Sequence, residues 1–511
     1  MDLSWIDLTA FFVFLAFVIA VSLYAGRGDE TGEDYFLAGR DLTWPLIGLS
    51  LIASNISTEQ IVGMAGGGVA TAGLAIASYE WIAAVALVVV ALFLLPVFLR
   101  LGIYTMPEFL EHRYGPGPRT LMATYMIFAY VAVLIVSVLY SGAVLFESLI
   151  GLNLYASIWL IGLVAGGYTV YGGLSAVVWS DLIQGVVLIA GGILVTSLAF
   201  SEIGGVDAFF EANADKLHMI QPADHPELPW TAMILGIWIP NLYYWGLNQF
   251  ITQRTLGAES LWEGQKGVIF AAFLKLLMPF IIVFPGIIAF QLYPEQIARS
   301  GDDAFPVLLE NLLPGFGLRG VLFAALFGAV MSSLDSMLNS CSTIFTIDIY
   351  QRYVNPDADQ NRLMRVGRIS TGVFVLLACL MGPLPGLVEG VFKYIQQFQG
   401  FISPGILGVF LVGLLMPRAS SAAAMAGMLV NIPVYGLLLW ALPGMAFLNH
   451  MAITFITVLA TMAVVTAWAP RSEPADLARQ RTDIDLTPHP WAAAGGGIVV
   501  AATAMLYVMF W

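Results

Sequence analysis

Residues 53–60, Ala-Ser-Asn-Ile-Ser-Thr-Glu-Gln, place hydrogen-bonding groups inside an apolar segment that opens at Leu42. The stretch begins about ten residues into the segment, which at about 1.5 Å per residue is roughly 15 Å down, near the middle of a hydrocarbon core about 30 Å thick. Polar or unwound backbone persists at that depth only where it is buried in protein or lines a wet cavity. The stretch therefore predicts a binding site at a helix break. The alternative is a polar helix end packed near the surface, which the glycines at 66–68 leave open.

The composition predicts a membrane protein. The chain is 59% hydrophobic and 11% charged, with a mean hydropathy of +0.85, whereas a soluble protein carries roughly twice that charged fraction. A net charge of −14 would repel phosphate, so no nucleic-acid partner is expected. Cys341 and Cys379 lie in apolar segments, and neither a disulfide framework nor a metal motif follows. All five histidines lie in loops or at their edges, so no histidine-based metal site is expected.

Fourteen apolar segments follow one another, and all are predicted to be helices because they are too long and too uniformly apolar for barrel strands. They lie near 5–25, 42–64, 71–100, 119–150, 153–171, 178–201, 230–254, 265–293, 317–352, 364–385, 387–416, 421–443, 447–469 and 490–511. The N-terminus lacks the basic region of a signal peptide, so the first segment should remain as a span. Between the third and fourth segments, Tyr104 to Tyr114 predicts a short amphipathic helix.

The distribution of basic residues predicts the orientation of these segments. Loops after odd-numbered segments, with their flanks, hold fifteen: Arg27, Arg40, Arg100, Arg113, Arg119, Arg254, Lys266, Arg352, Arg362, Arg365, Arg368, Arg418, Arg471, Arg479 and Arg481. The opposite side has three: Lys216, Arg299 and Arg319. Both termini should therefore face outward.

A second polar interruption predicts internal symmetry. The seventh segment contains Pro240-Asn-Leu-Tyr-Tyr-Trp-Gly-Leu-Asn-Gln249 at membrane depth, five segments after the first interruption. Two broken helices of opposite insertion indicate inverted five-helix repeats with a site at their interface. The predicted units are residues 1–41, with one extra helix and an inner loop; the repeats 42–201 and 230–416; the outer loop 202–229 between them; and residues 417–511, with three further helices.

The ninth segment carries a polar stripe that predicts a cation site. Ser332, Ser333, Asp335, Ser336, Asn339 and Ser340 recur at helical spacing. Na⁺ is a hard cation that takes several oxygen ligands, which serine hydroxyls and free carbonyls of the Ala53–Ile56 turn would supply. The alternative is that the serines bond to their own helix and let helices pack closely.

Two acids need a different explanation, because an ionised carboxylate deep in a span costs about 2.5–3.5 kcal/mol unless it is paired. Asp335 in the ninth segment and Asp181 in the sixth could hold a second Na⁺ or a proton. Alternatively, each could lie near a helix end, hydrated and structural.

Amide and charged groups in other segments suit a hydroxylated ligand. Gln60, Glu80, Asn241, Lys275 and Gln396 offer donors and acceptors that fit a polyol. The aromatic residues Tyr79, Tyr244, Trp245 and Phe392 could stack on an apolar sugar face or act as gates, although lone aromatic residues in membranes more often pack.

Five motifs carry a resemblance to the solute:sodium symporter family, and most of all to its bacterial sodium/galactose (sodium/glucose-type) members. They are Tyr-Phe-Leu-Ala-Gly-Arg at 35–40, Asn-Ile-Ser-Thr-Glu-Gln at 55–60, Tyr-Gly-Gly-Leu-Ser-Ala-Val-Val-Trp-Ser-Asp at 171–181, Asn-Leu-Tyr-Tyr-Trp-Gly at 241–246 and Ser-Ser-Leu-Asp-Ser-Met-Leu-Asn-Ser at 332–340. The resemblance covers nearly the whole chain. It implies an all-α, LeuT-type core of five plus five helices with one helix before it and three after, and alternating access driven by the inward Na⁺ gradient.

The resemblance also implies roles for individual positions. Sodium ligands fall on the carbonyls of Ala53, Ile56 and Ala329 and the hydroxyls of Ser332 and Ser333. Sugar contacts fall on Gln60, Glu80, Asn241, Lys275 and Gln396. The inner gate falls on Tyr244, with Trp245 adjoining, and the outer gate on Met64, Tyr79 and Phe392.

The chain departs from the family pattern at three other positions. Ala83 stands where the galactose transporter has a serine, and Leu134 stands where it has a sugar-contacting asparagine, which leaves the particular sugar open. Asp335 adds an oxygen ligand that single-sodium sugar members lack. A second cation held by Asp181, Ser332, Asp335 and Ser336 is therefore the hypothesis.

The predicted function is sodium-coupled import of a galactose- or glucose-like hexose through the cell (inner) membrane, with Na⁺ as coupling ion, a sugar or polyol as cargo and membrane lipid as surroundings. One alternative keeps the mechanism and changes the cargo to myo-inositol, another polyol or a small carboxylate. Another is a membrane sensor on the same core, which would need a soluble output domain, whereas this chain stops at Trp511 in its last segment. An enzyme is not expected, because no nucleophile–base set is present.

Overall fold

The structure, a computed structural model, describes residues 4–28, 31–69, 72–297, 301–313, 317–387, 391–475 and 484–511. Helix accounts for 83% of it, and within those ranges no β-strand forms. Eleven of the described helices are long and apolar enough to cross a membrane: Trp5–Ala25, Gly73–Leu101, Pro116–Glu147, Gly173–Glu202, Leu261–Leu292, Leu318–Val354, Gln360–Gly386, Val391–Leu415, Ser421–Ala441, Phe447–Trp468 and Pro490–Met509. The predicted all-helical membrane architecture is confirmed at this level.

The three other predicted segments form helices that are broken or short. The second becomes the first broken helix, with halves Trp44–Asn55 and Thr58–Val69. The seventh becomes the second broken helix, with a short turn Trp230–Ile234 followed by halves Trp238–Leu247 and Gln249–Leu256.

The fifth predicted segment is the first part of a continuous run, Leu154–Glu202, that bends at Gly173. Gly173 has φ +53° and ψ −160°, a conformation that lets two helices meet without a loop and that glycine adopts most readily. The fifth and sixth segments are thus two helices joined at one residue.

Burial separates central helices from peripheral ones. In Leu318–Val354, named here the serine helix, 94% of the most apolar stretch is buried, and in Leu261–Leu292 the share is 78%. Only 22% is buried in each of the terminal helices, Trp5–Ala25 and Pro490–Met509. The central helices therefore form the buried core of the protein, whereas the terminal helices expose apolar side chains to lipid.

Small residues bring the first broken helix close to its neighbours. A Cβ at Gly48 would meet the Phe270 side chain at 2.6 Å, and a Cβ at Gly267 would meet Ile47 at 2.8 Å. Small residues permit this close helix contact in membrane proteins. On another side, Gly185 faces Ala53. The break at residues 56–57 is thus held between Gly173–Glu202, Leu261–Leu292 and the serine helix.

The predicted short helix at 104–114 forms as Met106–Tyr114. Its Glu111 accepts hydrogen bonds from Arg119 and Arg352, at the ends of two long helices. Burial opposes ionisation of Glu111, but the hydrogen bonds and charges of the two arginines hold its pKa below the usual value. This short helix therefore ties the basic ends of those helices together.

Candidate functional site

The break in the first broken helix frees two backbone carbonyls. In a continuous helix the Ser57 N–H would bond to Ala53 O, but here it donates to Asn55 O at 3.2 Å. Likewise, the Gln60 N–H donates to Ser57 O at 3.1 Å and not to Ile56 O. Ala53 O and Ile56 O therefore lose their helical donors. Both residues are buried, at 1% and 2% exposure.

The serine helix lies directly against this break. Ser333 Oγ donates to Ser54 O at 3.1 Å, and Ser336 Oγ lies 3.1 Å from Ser54 Oγ. Ala329 is one turn before Ser333 and is also buried. Ser332 points to another neighbour, donating to Asp181 Oδ1 at 2.5 Å. The two regions that the sequence predicts to share a sodium ion are therefore neighbours.

Asp181 already has a cation. Arg254 Nη2 lies 3.1 Å from Asp181 Oδ2, and the exposed fractions of the two side chains are 1% and 0%. The guanidinium also donates to the hydroxyls of Ser50, Ser54 and Ser336. The sequence analysis had placed Arg254 in an inside flank, whereas the structure puts its charge in the interior.

The four residues predicted to hold a second cation are divided between two places. Asp181, Ser332 and Ser336 surround or adjoin the Arg254 guanidinium. Asp335 faces a different helix, where its Oδ1 accepts from Thr169 Oγ1 at 2.8 Å. Arg254 fills the position beside Asp181, and a second cation at these four residues stays a prediction.

A cavity opens next to the break and gathers most of the predicted ligand contacts. It encloses about 680 Å³ of empty space, part of which is open to solvent. Its walls include eight of the ten predicted sugar and gate residues: Gln60, Tyr79, Glu80, Asn241, Tyr244, Trp245, Phe392 and Gln396. Lys275 and Met64 lie behind the wall, each bonded to a residue that lines it.

One hydrogen-bonded network runs along the wall of the cavity. Lys275 Nζ donates to Glu80 Oε2 at 2.5 Å, and Gln60 Nε2 donates to Glu80 Oε1 at 2.6 Å. Lys275 also donates to Asn55 Oδ1, and Asn55 Nδ2 donates to the Tyr244 hydroxyl at 3.0 Å. The network joins the helix break to three predicted sugar contacts, Gln60, Glu80 and Lys275, and to a predicted gate. The sequence prediction gave Asn55 no role, although it lies within the stretch that decided the fold.

Aromatic rings close the cavity on two sides. The rings of Tyr79 and Phe392 meet edge to face, with centroids 5.6 Å apart. On the other side Tyr244 packs against Trp245 with centroids 5.2 Å apart. Met64 is buried and accepts a contact from Gln60 Nε2 at 3.0 Å. Asn241 and Gln396 face the cavity, with hydrogen bonds to Ile237 O and Gln399 respectively.

Two other positions are informative. Leu134 lines the cavity, whereas Ala83 is buried and is absent from its wall. Glu59 also lines the cavity and was given no role by the sequence analysis. The signal was its place beside Gln60 at the start of the second half-helix. His450, expected at a loop edge, is buried in Phe447–Trp468.

The family model for the sodium:solute symporter family matches residues 35–431. The chain belongs to the sodium:solute symporter family. Na⁺ is accordingly the coupling ion. The sodium/glucose cotransporter of Vibrio parahaemolyticus is 42% identical over 100% of this chain and 99% of its own length. The pig (Sus scrofa) sodium/myo-inositol cotransporter 2 is 34% identical over 83% of this chain and 68% of its own.

A solved structure has the same fold. The substrate-bound, outward-open structure of a Na⁺-coupled sialic acid symporter superposes with a TM-score of 0.83, covering 93% of this chain and 100% of that one at 22% identity. This likeness shows the fold and does not identify the ligand of this chain.

Proposed function

We propose that this symporter uses the Na⁺ gradient to import a neutral, hydroxylated solute of hexose size through the cell (inner) membrane. The observation that carries the proposal is a hydrogen-bonded network in which Gln60, Glu80, Asn55 and Tyr244 line a cavity beside a helix break and Lys275 joins them from behind. Such a network offers both donors and acceptors to several hydroxyl groups at once. A sugar, which carries a hydroxyl on most of its carbons, fits that pattern.

The sodium site in this proposal consists of the carbonyls of Ala53, Ile56 and Ala329 with the hydroxyls of Ser332 and Ser333. Two of the carbonyls have lost their helical donors, and Ser333 already reaches the first broken helix. Ser332 would turn from Asp181 to the ion. Five neutral oxygens suit a monovalent hard cation, and the nearby Arg254 disfavours a second one. We expect one Na⁺ per sugar, which reversal potentials in proteoliposomes would measure.

Asn55 would couple the ion to the cargo. Its backbone lies between the proposed ligands Ala53 and Ile56, while its side chain bonds Lys275 and Tyr244 in the cavity wall. A sodium ion that fixes the break would therefore also fix the Asn55 side chain and, through it, the sugar contacts and the inner gate. Tighter sugar binding in the presence of Na⁺ implies tighter Na⁺ binding in the presence of sugar, because the coupling free energy is reciprocal.

The charges of the cavity argue against a carboxylate cargo. Its described lining includes two acids, Glu59 and Glu80, and no basic residue. The nearest cation, Lys275, is paired with Glu80. Galactose, glucose and myo-inositol are all neutral polyols, and the named functions of the relatives include glucose and myo-inositol cotransport.

For the membrane arrangement we propose fourteen crossings with both termini outside. The three broken or short helices would complete the eleven long ones, and the two breaks five segments apart fit inverted repeats at 42–201 and 230–416. Single cysteines introduced in the outer loop 202–229 and at residues 470–475 should react with a membrane-impermeant maleimide from opposite sides.

An uptake screen tests the proposed function. Proteoliposomes with an inward Na⁺ gradient should accumulate radiolabelled galactose or glucose, and a K⁺ gradient should not replace Na⁺. Unlabelled galactose, glucose, myo-inositol and acetate would then compete separately. Competition by acetate alone, or uptake that does not depend on Na⁺, would overturn the proposal. Competition by myo-inositol above either hexose would keep the mechanism and change the cargo.

A further inference from the structure

Glu59 is a carboxylate in the cavity that the network of hydrogen bonds does not use. It lies in the first turn of Thr58–Val69, directly after the break. Its side chain lines the cavity, while its Oε2 is enclosed and has no hydrogen-bond partner among the described residues. A buried acceptor without a donor is unfavourable, so Glu59 leaves room for a donor from the neighbouring Ser57 hydroxyl or from a ligand in the cavity.

None of the described residues that line the cavity offers Glu59 a compensating charge. The cavity lining also includes the apolar side chains of Leu134 and Val138 from Pro116–Glu147. The other acid of the cavity, Glu80, is neutralised by Lys275 at 2.5 Å. Among the described lining residues there is no lysine, arginine or histidine. Glu59 is therefore the one carboxyl group among the described lining residues that has no ion-pair partner.

We propose that Glu59 determines which sugars the cavity accepts. An ionised carboxylate only accepts hydrogen bonds, so it binds a sugar hydroxyl or a protonated amino group. It repels a sugar acid, because like charges interact strongly in a cavity shielded from water. The transporter should therefore admit neutral sugars and protonated amino sugars and exclude hexuronates. This inference rests on the proposed sugar symport and names the charge class of its cargo.

The test compares the wild type with Glu59→Gln, which keeps the shape and removes the charge. In competition against labelled galactose at fixed Na⁺, galacturonate should fail against the wild type and gain about tenfold in potency against Glu59→Gln, since removing a like charge is worth at least that much. Glucosamine, measured where it is protonated, should lose about tenfold relative to glucose. The Na⁺ concentration for half-maximal uptake should stay unchanged.

Two further variants keep the test decisive. Glu59→Asp shortens the side chain and keeps its charge, so it should weaken galactose binding while still excluding galacturonate. Glu211→Gln removes one negative charge from an exposed position in the outer loop and should change neither competition. If Glu59→Gln does not reach the membrane, Glu59→Asp still decides, because admission of galacturonate by that variant would overturn the charge filter.

The outcomes separate the two levels of proposal. Absence of Na⁺-driven uptake of any neutral sugar by the wild type would overturn the proposed function. Normal sugar uptake together with identical galacturonate and glucosamine competition in the wild type and Glu59→Gln would overturn the role of Glu59 alone. A gain for galacturonate with a loss for glucosamine would support it.

Discussion

The two broken helices differ in what fills the break. In the second broken helix the break falls at Asn248, and Tyr130 fills it, because its hydroxyl donates to Asn248 Oδ1 and accepts from the Phe250 N–H at 3.2 Å. In the first, the carbonyls of Ala53 and Ile56 have lost their helical donors. The Ser57 hydroxyl there is buried without a partner among the described residues.

The difference shows that a helix break is only a potential ligand site. Buried backbone groups must be satisfied by something, and at Asn248 the protein itself supplies the partner. At residues 56–57 we propose that an ion meets part of that demand. The breaks are also linked, because Arg254, on the second half of the second broken helix, reaches Ser50 and Ser54 on the first half of the first.

The largest effect is expected from replacing Arg254, whose side chain links the two broken helices. Arg254→Met leaves the buried Asp181 carboxylate without its cation, and breaking a buried pair in this way costs about 3–5 kcal/mol. Thermal unfolding of the purified protein in detergent should show a large loss of stability. Asp181→Asn combined with Arg254→Met should recover part of it, since no charge is then left unpaired. A single variant as stable as the wild type would contradict the pairing.

The next effect concerns the filled break. Tyr130→Phe removes both hydrogen bonds of the hydroxyl and leaves buried polar groups at Asn248, which should cost about 2 kcal/mol of stability. The dependence of uptake on Na⁺ should be unaltered, because the break is not an ion site. Tyr125→Phe, on the same helix at a partly exposed position, is the matched control and should be neutral. If Tyr130→Phe shifted the Na⁺ dependence and the control did not, both breaks would have to contribute to ion binding.

The sequence was sufficient to predict the helices and the first break. Long apolar runs specify membrane helices directly, and a polar stretch at the centre of one run indicates where a helix is interrupted. The sequence left open whether Asp181 binds a cation or a proton or lies hydrated near a helix end. It could not show the pairing with Arg254, because Arg254 stands at the edge of an apolar segment, where hydropathy assigns it to a loop. Only the fold, which continues the helix to Leu256, turns that residue inward.

The spacing of polar residues in the sequence also could not predict which neighbouring helix each side chain contacts. Ser332, Asp335 and Ser336 share one face by helical count, yet Asp335 bonds Thr169 while the two serines face Asp181 and Arg254. The face of a helix in the centre of a bundle touches several neighbours. Which neighbour each residue meets depends on packing that a single sequence does not encode locally.

Removing a proposed ligand at the break in the first broken helix should weaken the affinity for sodium. Ser333→Ala removes a proposed ligand, and we expect the Na⁺ concentration for half-maximal uptake to rise about tenfold, equivalent to about 1.4 kcal/mol. Stability should change little. Ser340→Ala, on the same helix but bonded to Gln253, serves as control and should leave the Na⁺ dependence in place. Unaltered Na⁺ dependence in Ser333→Ala would remove the serine helix from the ion site.

The smallest effect is expected at the hydrogen bond that joins Asn55, in the first broken helix, to Tyr244 of the proposed inner gate. Tyr244→Phe removes the hydrogen bond from Asn55 and should weaken the closed gate by about 1 kcal/mol. Since that bond joins the break to the cavity, sugar efflux without Na⁺ should rise severalfold, while the number of sites that bind sugar stays the same. Tyr243→Phe, a buried neighbour whose ring does not line the cavity, is the control. Equal efflux from the two variants would mean that Asn55 holds Tyr244 without controlling the gate, and the open break would then act on sugar only through Lys275.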